Sequence, residues 1–236
     1  MKRGESSSLV ARAVVLFDID GTLVRRAGPH HRQALEAAAL RITGRACSTD
    51  GIPVQGMLDG DILTAMLHRA GLSAPSIRRA LPAIMTQAQR IYLLTAPRDL
   101  HARVCPGAKA LLRRLRRQGI PAGLVTGNLS RIAWRKMDSA GLRSYLSFGA
   151  FAEMGPTRAA LASLALAHAR RRGWITAHTR LWLIGDHPND VNAARANSIQ
   201  SIAVQTGLSS ADELAGHSPD LLLEDLRSLD PRSLLA

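Results

Sequence analysis

The sequence predicts an α/β protein, a doubly wound and mostly parallel sheet interrupted by an inserted helical domain. Short apolar runs recur along the 236 residues, and each meets a polar or glycine turn at its C-terminal end. Their apolarity is continuous rather than alternating, the pattern of strands buried on both faces. Helical periodicity separates most of them, which is the rhythm of a doubly wound domain.

The strand-length runs are 14–17 before Asp18, 122–125 before Thr126, 181–184 before Gly185 and Asp186, 201–204 before Gln205, and 221–223 before Glu224. Among the helices, Ala108, Leu111, Leu112 and Leu115 share one face, with Gly119 as the stop, and 157–172 forms another ended by Gly173. From about Arg25 to Leu100 the rhythm breaks. That stretch holds helical patterns at 31–42, 59–70 and 76–94 and no strand, and Pro82 predicts a kink or a split in the third. Pro97 and Pro106 mark the return to the sheet. The expected division is a core of 1–24 and 100–236 around a helical domain of 25–99, with the first eight residues disordered.

Composition narrows the class. Hydrophobic content of 46% with only 3% aromatic residues fits a globular chain with one sizeable core. The net charge of +13 is nearly all arginine, since only Lys2, Lys109 and Lys136 are lysines. Such a chain should associate with polyanions at low salt, a property of its field rather than its purpose. The clusters Arg113, Arg114, Arg116, Arg117 and Arg170–Arg172 fall where helices end, and cations there complement the helix dipole. Few aromatics accompany them for base stacking, so they read as solvated faces rather than as a nucleic-acid site. Two cysteines, Cys47 and Cys105, lack any metal-ligand spacing, and no run approaches the ~18 apolar residues of a membrane span. A soluble cytosolic protein is the expectation; the sequence is silent on oligomeric state.

The most informative segment is Leu-Phe-Asp-Ile-Asp-Gly-Thr at 16–22. Two carboxylates, Asp18 and Asp20, leave the end of a buried strand on the same side. That is costly unless a metal, a proton or a substrate pairs with them. In open α/β sheets ligands bind beyond the carboxyl ends of the strands. Gathered there are Asp18 and Asp20, then Thr126, Gly127 and Asn128, then Asp186 and Asp190. Four carboxylates with a hydroxyl and backbone amides suit a hard cation, Mg²⁺ above all, together with a phosphate. Thr126 and the amide of Gly127 or Asn128, opening the next helix, would cradle the anion. Asn128 serves equally well as a helix cap. His187 and Asn189 read as scaffold or solvent-facing.

The ordered set Asp18-Ile-Asp20-Gly21-Thr22, Thr126-Gly127-Asn128 and Gly185-Asp186 with Asp190 resembles the haloacid dehalogenase superfamily of aspartate-nucleophile hydrolases, over roughly residues 13 to 225. The resemblance implies a Rossmann-like core and identifies the helical insert as similar to that superfamily's C1-type cap, in a phosphoglycolate phosphatase-like arrangement. It implies that Asp18 attacks phosphorus and that Asp20 serves as general acid and then base. Mg²⁺ would sit on Asp18, Asp186, the backbone carbonyl of Asp20 and Asp190, the last directly or through water. Asp20 favours phosphoryl transfer, because members cleaving carbon–halogen bonds lack it. The family's usual lysine has no counterpart after Lys136, which lies mid-helix just after Thr126. Arg158, opening the helix after 148–151, is the better match and would hold phosphate or carboxylate in a fork.

In the insert, Gly56, Asp59 and His31 are candidates to face the substrate, although exposed positions at a helix start are the commoner fate of His30 and His31. Met57 stands where relatives often carry a basic residue, a departure from the usual recognition of small carboxylated substrates. The leading expectation is a Mg²⁺-dependent phosphatase of a small phosphorylated metabolite. A sugar phosphomutase using the same aspartyl-phosphate, and a catalytically idle regulatory or RNA-associated protein of the same fold, are the alternatives.

Overall fold

The computed structural model describes residues 11–25 and 28–235. The eight N-terminal residues expected to be disordered lie outside the described residues, as do 26 and 27 near the expected domain boundary. Six parallel strands form one sheet in the order β3-β2-β1-β4-β5-β6. They are β1 (Ala13–Phe17), β2 (Ala122–Val125), β3 (Phe148–Ala150), β4 (Arg180–Gly185), β5 (Gln200–Val204) and β6 (Leu221–Leu223). The order reverses at β1, which pairs with β2 on one side and β4 on the other.

Strand β1 shows why its sequence is apolar throughout. Val14 and Leu16 enter one apolar cluster while Ala13, Val15 and Phe17 enter the cluster on the other face. All five residues are fully buried, and burying each large side chain is worth about 1.5–3 kcal/mol. No alternation of polar and apolar residues can satisfy two buried faces. Strand β3 was absent from the expected runs. Its three residues include Gly149, and so short and glycine-interrupted a strand has too little periodicity to be seen.

The described residues form eight α-helices: α1 (His30–Thr43), α2 (Asp59–Arg69), α3 (Ala74–Thr95), α4 (Ala108–Arg117), α5 (Ser130–Ser139), α6 (Arg158–Arg171), α7 (Pro188–Ala196) and α8 (Ala211–Gly216). Pro82 neither splits nor ends α3, which runs unbroken over 22 residues. The helix leans on α1 and α2, and its buried Ile77, Ile84, Ala88 and Tyr92 provide the stabilisation that offsets the missing hydrogen bond. Helices α1 to α3 all precede β2. Their apolar side chains join the same cluster as Val14, Leu16 and Val125, so the helical segment is seated directly on one face of the sheet region.

Among the described residues no helix is long and apolar enough to cross a membrane. Cys47 and Cys105 are both free thiols. The arginine clusters end α4 and α6, and two of their members lie over aromatic rings, Arg116 on Tyr145 and Arg172 on Trp174.

Candidate active site

The reversal of strand order at β1 opens a crevice beyond its C-terminal end, flanked by the ends of β2 and β4. Register fixes what meets there. Phe17 lies level with Leu124 and Ile184, so Asp18 emerges level with Val125 and Gly185, the last residues of β2 and β4. Asp186 follows Gly185, and α7 then returns Asp190 to the same point. One carboxylate oxygen each from Asp18, Asp186 and Asp190 lies within 4.8 Å of the others. Gly21 has φ +92° and abuts Asp186, where any Cβ would collide with the carboxylate. Gly207 presses on Asp186 from the other side, and Thr22 Oγ1 donates to Asp186 Oδ1 at 3.1 Å.

Three carboxylates in so little space are short of positive charge. Arg158, on the first turn of α6, supplies one cation. Its Nη1 donates to Asp18 Oδ1 at 2.8 Å and to Asp190 Oδ1 at 2.7 Å. Burial alone would favour a neutral guanidinium, but the Asp190 and Asp18 charges outweigh it and hold Arg158 cationic. Its buried Nε has no partner among the described residues. Asp186 is pushed well above the usual carboxylate range by burial and by the Asp18 and Asp190 charges. Asp190 is pushed the same way, by burial above all, although Arg158 opposes the rise. A cluster that resists ionising with one arginine present has room for a further cation. Hard oxygen donors at these spacings fit a divalent metal.

Asp20 stands apart from that cluster. Its carboxylate meets Lys136 Nζ at 2.7 and 2.6 Å, and Asn128 Nδ2 donates to its Oδ2 at 2.8 Å. Burial would raise the Asp20 carboxyl, yet the Lys136 charge with the Lys136 and Asn128 hydrogen bonds holds it below the usual range. As a metal ligand Asp20 therefore has only its backbone carbonyl to offer, since its side chain is spent on Lys136.

Thr126 is fully buried. Its Oγ1 accepts from the Asn128 backbone amide at 3.3 Å and from Asn128 Nδ2 at 2.9 Å. The opening of α5, expected to cradle an anion, is largely capped from within. Leu129 N donates to Asp59 Oδ2 at 2.8 Å, Ser130 N to Glu153 and Arg131 N to Gln89. Gly127 O accepts from Asp59 N at 2.8 Å, so the glycine is also a seat for the helical segment.

Above these groups lies a cavity of about 740 Å³ between the strand ends and the helical segment. Asp18, Asp20, Gly127, Asn128, Lys136, Arg158 and Asp186 line its floor, while Gly56, Asp59 and His31 face them from the segment. All three segment candidates thus reach the site. Gly56 abuts His187, and Asn189 Nδ2 donates to Gly56 O at 2.9 Å. His187, expected to be scaffold or solvent-facing, lines the cavity and also caps α7. Its imidazole is less basic than usual, through burial and the Arg158 charge.

Lys136 is the residue that sequence reasoning set aside. It is 1% exposed, at the heart of the site. A signal existed, because Ile132, Ala133 and Met137 define the buried stripe of α5 and Lys136 falls on it. A lysine on an apolar stripe needs a buried partner.

The model of the haloacid dehalogenase-like hydrolase family matches residues 15–195, which include every motif gathered in the crevice. The chain belongs to this family. Among relatives, a phosphoglycolate phosphatase of Pseudomonas putida is 27% identical over 231 residues, spanning 92% of this chain and 78% of that protein. A β-phosphoglucomutase from Clostridium difficile has a similar structure, with a TM-score of 0.68 at 17% identity over 96% and 97% of the two chains. A protein from Haemophilus somnus described as a predicted phosphoglycolate phosphatase superposes with a TM-score of 0.65, at 17% identity over 92% and 96%. Likeness at this identity speaks for the fold of this hydrolase.

Proposed function

We propose that this hydrolase is a Mg²⁺-dependent phosphatase of a small phosphate monoester, working through an aspartyl-phosphate on Asp18. The observation that carries the reading is the placement of Asp18 within 4.8 Å of Asp186 and Asp190 at the floor of a cavity. Its curated relatives, phosphoglycolate phosphatases at 24–27% identity, support the phosphatase class. The helical segment would act as the cap that encloses the substrate.

Arg158 occupies Oδ1 of Asp18 and leaves Oδ2 for phosphorus. As the Asp18–phosphorus bond forms, the ester bond breaks and Asp20 gives its proton to the departing alkoxide. Water then attacks phosphorus, Asp20 takes the water's proton, and Asp18 is released with inorganic phosphate. Asp18, Asp186 and the Asp20 carbonyl, with Asp190 directly or through water, would hold Mg²⁺, which supplies positive charge to the transferring phosphoryl group. Beside Lys136, Asp20 rests ionised, the form that activates water; the negative charge of a bound phosphate raises its proton affinity for the first half. Phosphate oxygens would be held by Gly127, Asn128 and Arg158. Thr126, fully buried and not among the residues lining the cavity, keeps Asn128 in place.

The test is phosphate release from a panel of glycolate, sugar, nucleotide and p-nitrophenyl phosphates, with and without Mg²⁺. Turnover should need the metal, and Asp18→Asn should reduce it by at least about 10³-fold. Retained activity in that variant would sink the mechanism. Conversion of a sugar phosphate to its isomer without phosphate release would identify a mutase instead.

A further inference from the structure

The mechanism above leaves Lys136 without a task of its own. Burying an ammonium costs several kcal/mol unless its donors are matched, and a structural position on α5 would be filled as readily by methionine, as its neighbour Met137 is. The match here is complete. An ammonium has three protons and no acceptor, and three groups surround Nζ: the Asp20 carboxylate, Asn128 Oδ1 at 2.6 Å and His31 Nδ1 at 3.2 Å. Because Nζ can only donate, His31 Nδ1 must accept. The imidazole proton then lies on Nε2 and points to Asp59 Oδ2 at 2.9 Å. Asp59 is anchored in turn to the core by Leu129 N and Gly127 O. An unbroken chain of hydrogen bonds therefore runs Asp59–His31–Lys136–Asp20, its first two members on the helical segment and its last two on the core.

We propose that Lys136 is the positioning residue for Asp20, and that His31 and Asp59 complete its seat when the helical segment is docked. The inference rests on the reading of Asp20 as acid and base. Asp20 has a side chain still 42% exposed to the cavity, so without a fixed partner its carboxylate would swing freely over the site. Arg158 cannot hold it, being committed to Asp18 and Asp190. A compact ammonium suits three acceptors arranged around a point, whereas a planar guanidinium does not. Lysine is kept here in a chain that otherwise uses arginine almost everywhere.

The experiment is a double-mutant cycle with p-nitrophenyl phosphate and Mg²⁺, on Asp20→Asn, Lys136→Met and the pair, with folding checked by thermal melting. Departure of p-nitrophenolate needs no proton, so turnover reads the water-attack half, where Asp20 acts as base. Each single variant should lower kcat by about 10²-fold, with KM within about threefold. Adding Lys136→Met to Asp20→Asn should cost no more than a further threefold or so, because the lysine acts through the aspartate. Multiplying losses, a changed KM with kcat intact, or a wild-type rate in Lys136→Met would each overturn the proposal. Wild-type turnover in Asp20→Asn would instead remove the acid–base reading beneath it, and with it this inference. If Lys136→Met does not fold, Lys136→Arg keeps a cation in the same place. Its kcat should remain at least about tenfold low; full activity would mean that charge alone suffices and position does not matter.

Discussion

Two cation–carboxylate clusters lie side by side in the crevice, and they are built on opposite principles. Around Arg158, three buried carboxylates crowd one guanidinium that bonds two of them, Asp18 and Asp190, and every member belongs to the sheet side of the molecule. Around Lys136, one ammonium meets one reactive carboxylate, and one of the three groups around it, His31, comes from the helical segment. The first is left deficient in positive charge and fits a metal. The second is satisfied as it stands, so its contribution is geometry. A site that must both gather a dianion and move a proton needs both kinds, because charge excess binds while charge balance holds a group still.

The sharpest break of the comparison is Arg158→Leu. Removing one partner of a buried ion pair leaves Asp18 and Asp190 uncompensated, so unfolding free energy should fall by about 3–5 kcal/mol, with activity falling alongside. Added Mg²⁺ should recover part of that stability in chemical denaturation. A loss below about 1 kcal/mol would show that the Arg158 cluster is not charge-deficient.

The pH dependence of stability sharpens the same contrast. Asp186 and Asp190 hold their protons more tightly when folded than an ordinary carboxylic acid does. The folded metal-free protein therefore binds more protons than the unfolded chain from about pH 4 up towards neutrality. Stability from these two groups is fully present below that window and is lost as pH rises through it. Thermal melting without metal should show Tm falling from pH 5 to pH 8, and Mg²⁺ should raise Tm more at pH 8 than at pH 5. Asp20 has the opposite sign, being depressed when folded, so its pairing stabilises above the carboxylate range and is lost on acidification. Its effect therefore lies below pH 5, and a metal-free Tm that does not fall between pH 5 and pH 8 would mean that Asp186 and Asp190 do not hold their protons more tightly when folded.

His31→Gln and Asp59→Asn are the mildest breaks, since both act at a distance from the reacting atoms. Each should lower kcat by about tenfold or less. Asp59→Asn should also loosen the contact of the helical segment with Gly127 and Leu129, visible as faster amide hydrogen exchange at the start of α5. Unchanged exchange there would separate the catalytic effect from docking.

Much of this molecule was legible before its structure. Strand β1 announces itself because a strand buried on both faces has no choice but to be apolar, and Asp18 follows because such a strand must end on something that is not. Asp186 and Asp190 could be read for the same reason. Strand β3 could not, being three residues with a glycine at its centre. Nor could the course of α3 through Pro82, since whether a proline breaks a helix depends on how much neighbouring surface holds the helix together. Arg158 could be named as a candidate but not given its partners, which lie 140 and 32 residues away.

By itself, then, the sequence determined five of the six strands, the carboxylates at their ends and the family to which they belong, because local apolarity and short motifs suffice for these. Only the tertiary structure decided which cation serves which acid. Lys136 and Asp20 are 116 residues apart, and His31 and Asp59 reach them from a different part of the chain. Pairing of that kind is set by how helices dock on a sheet, and no local pattern encodes a distance across the fold.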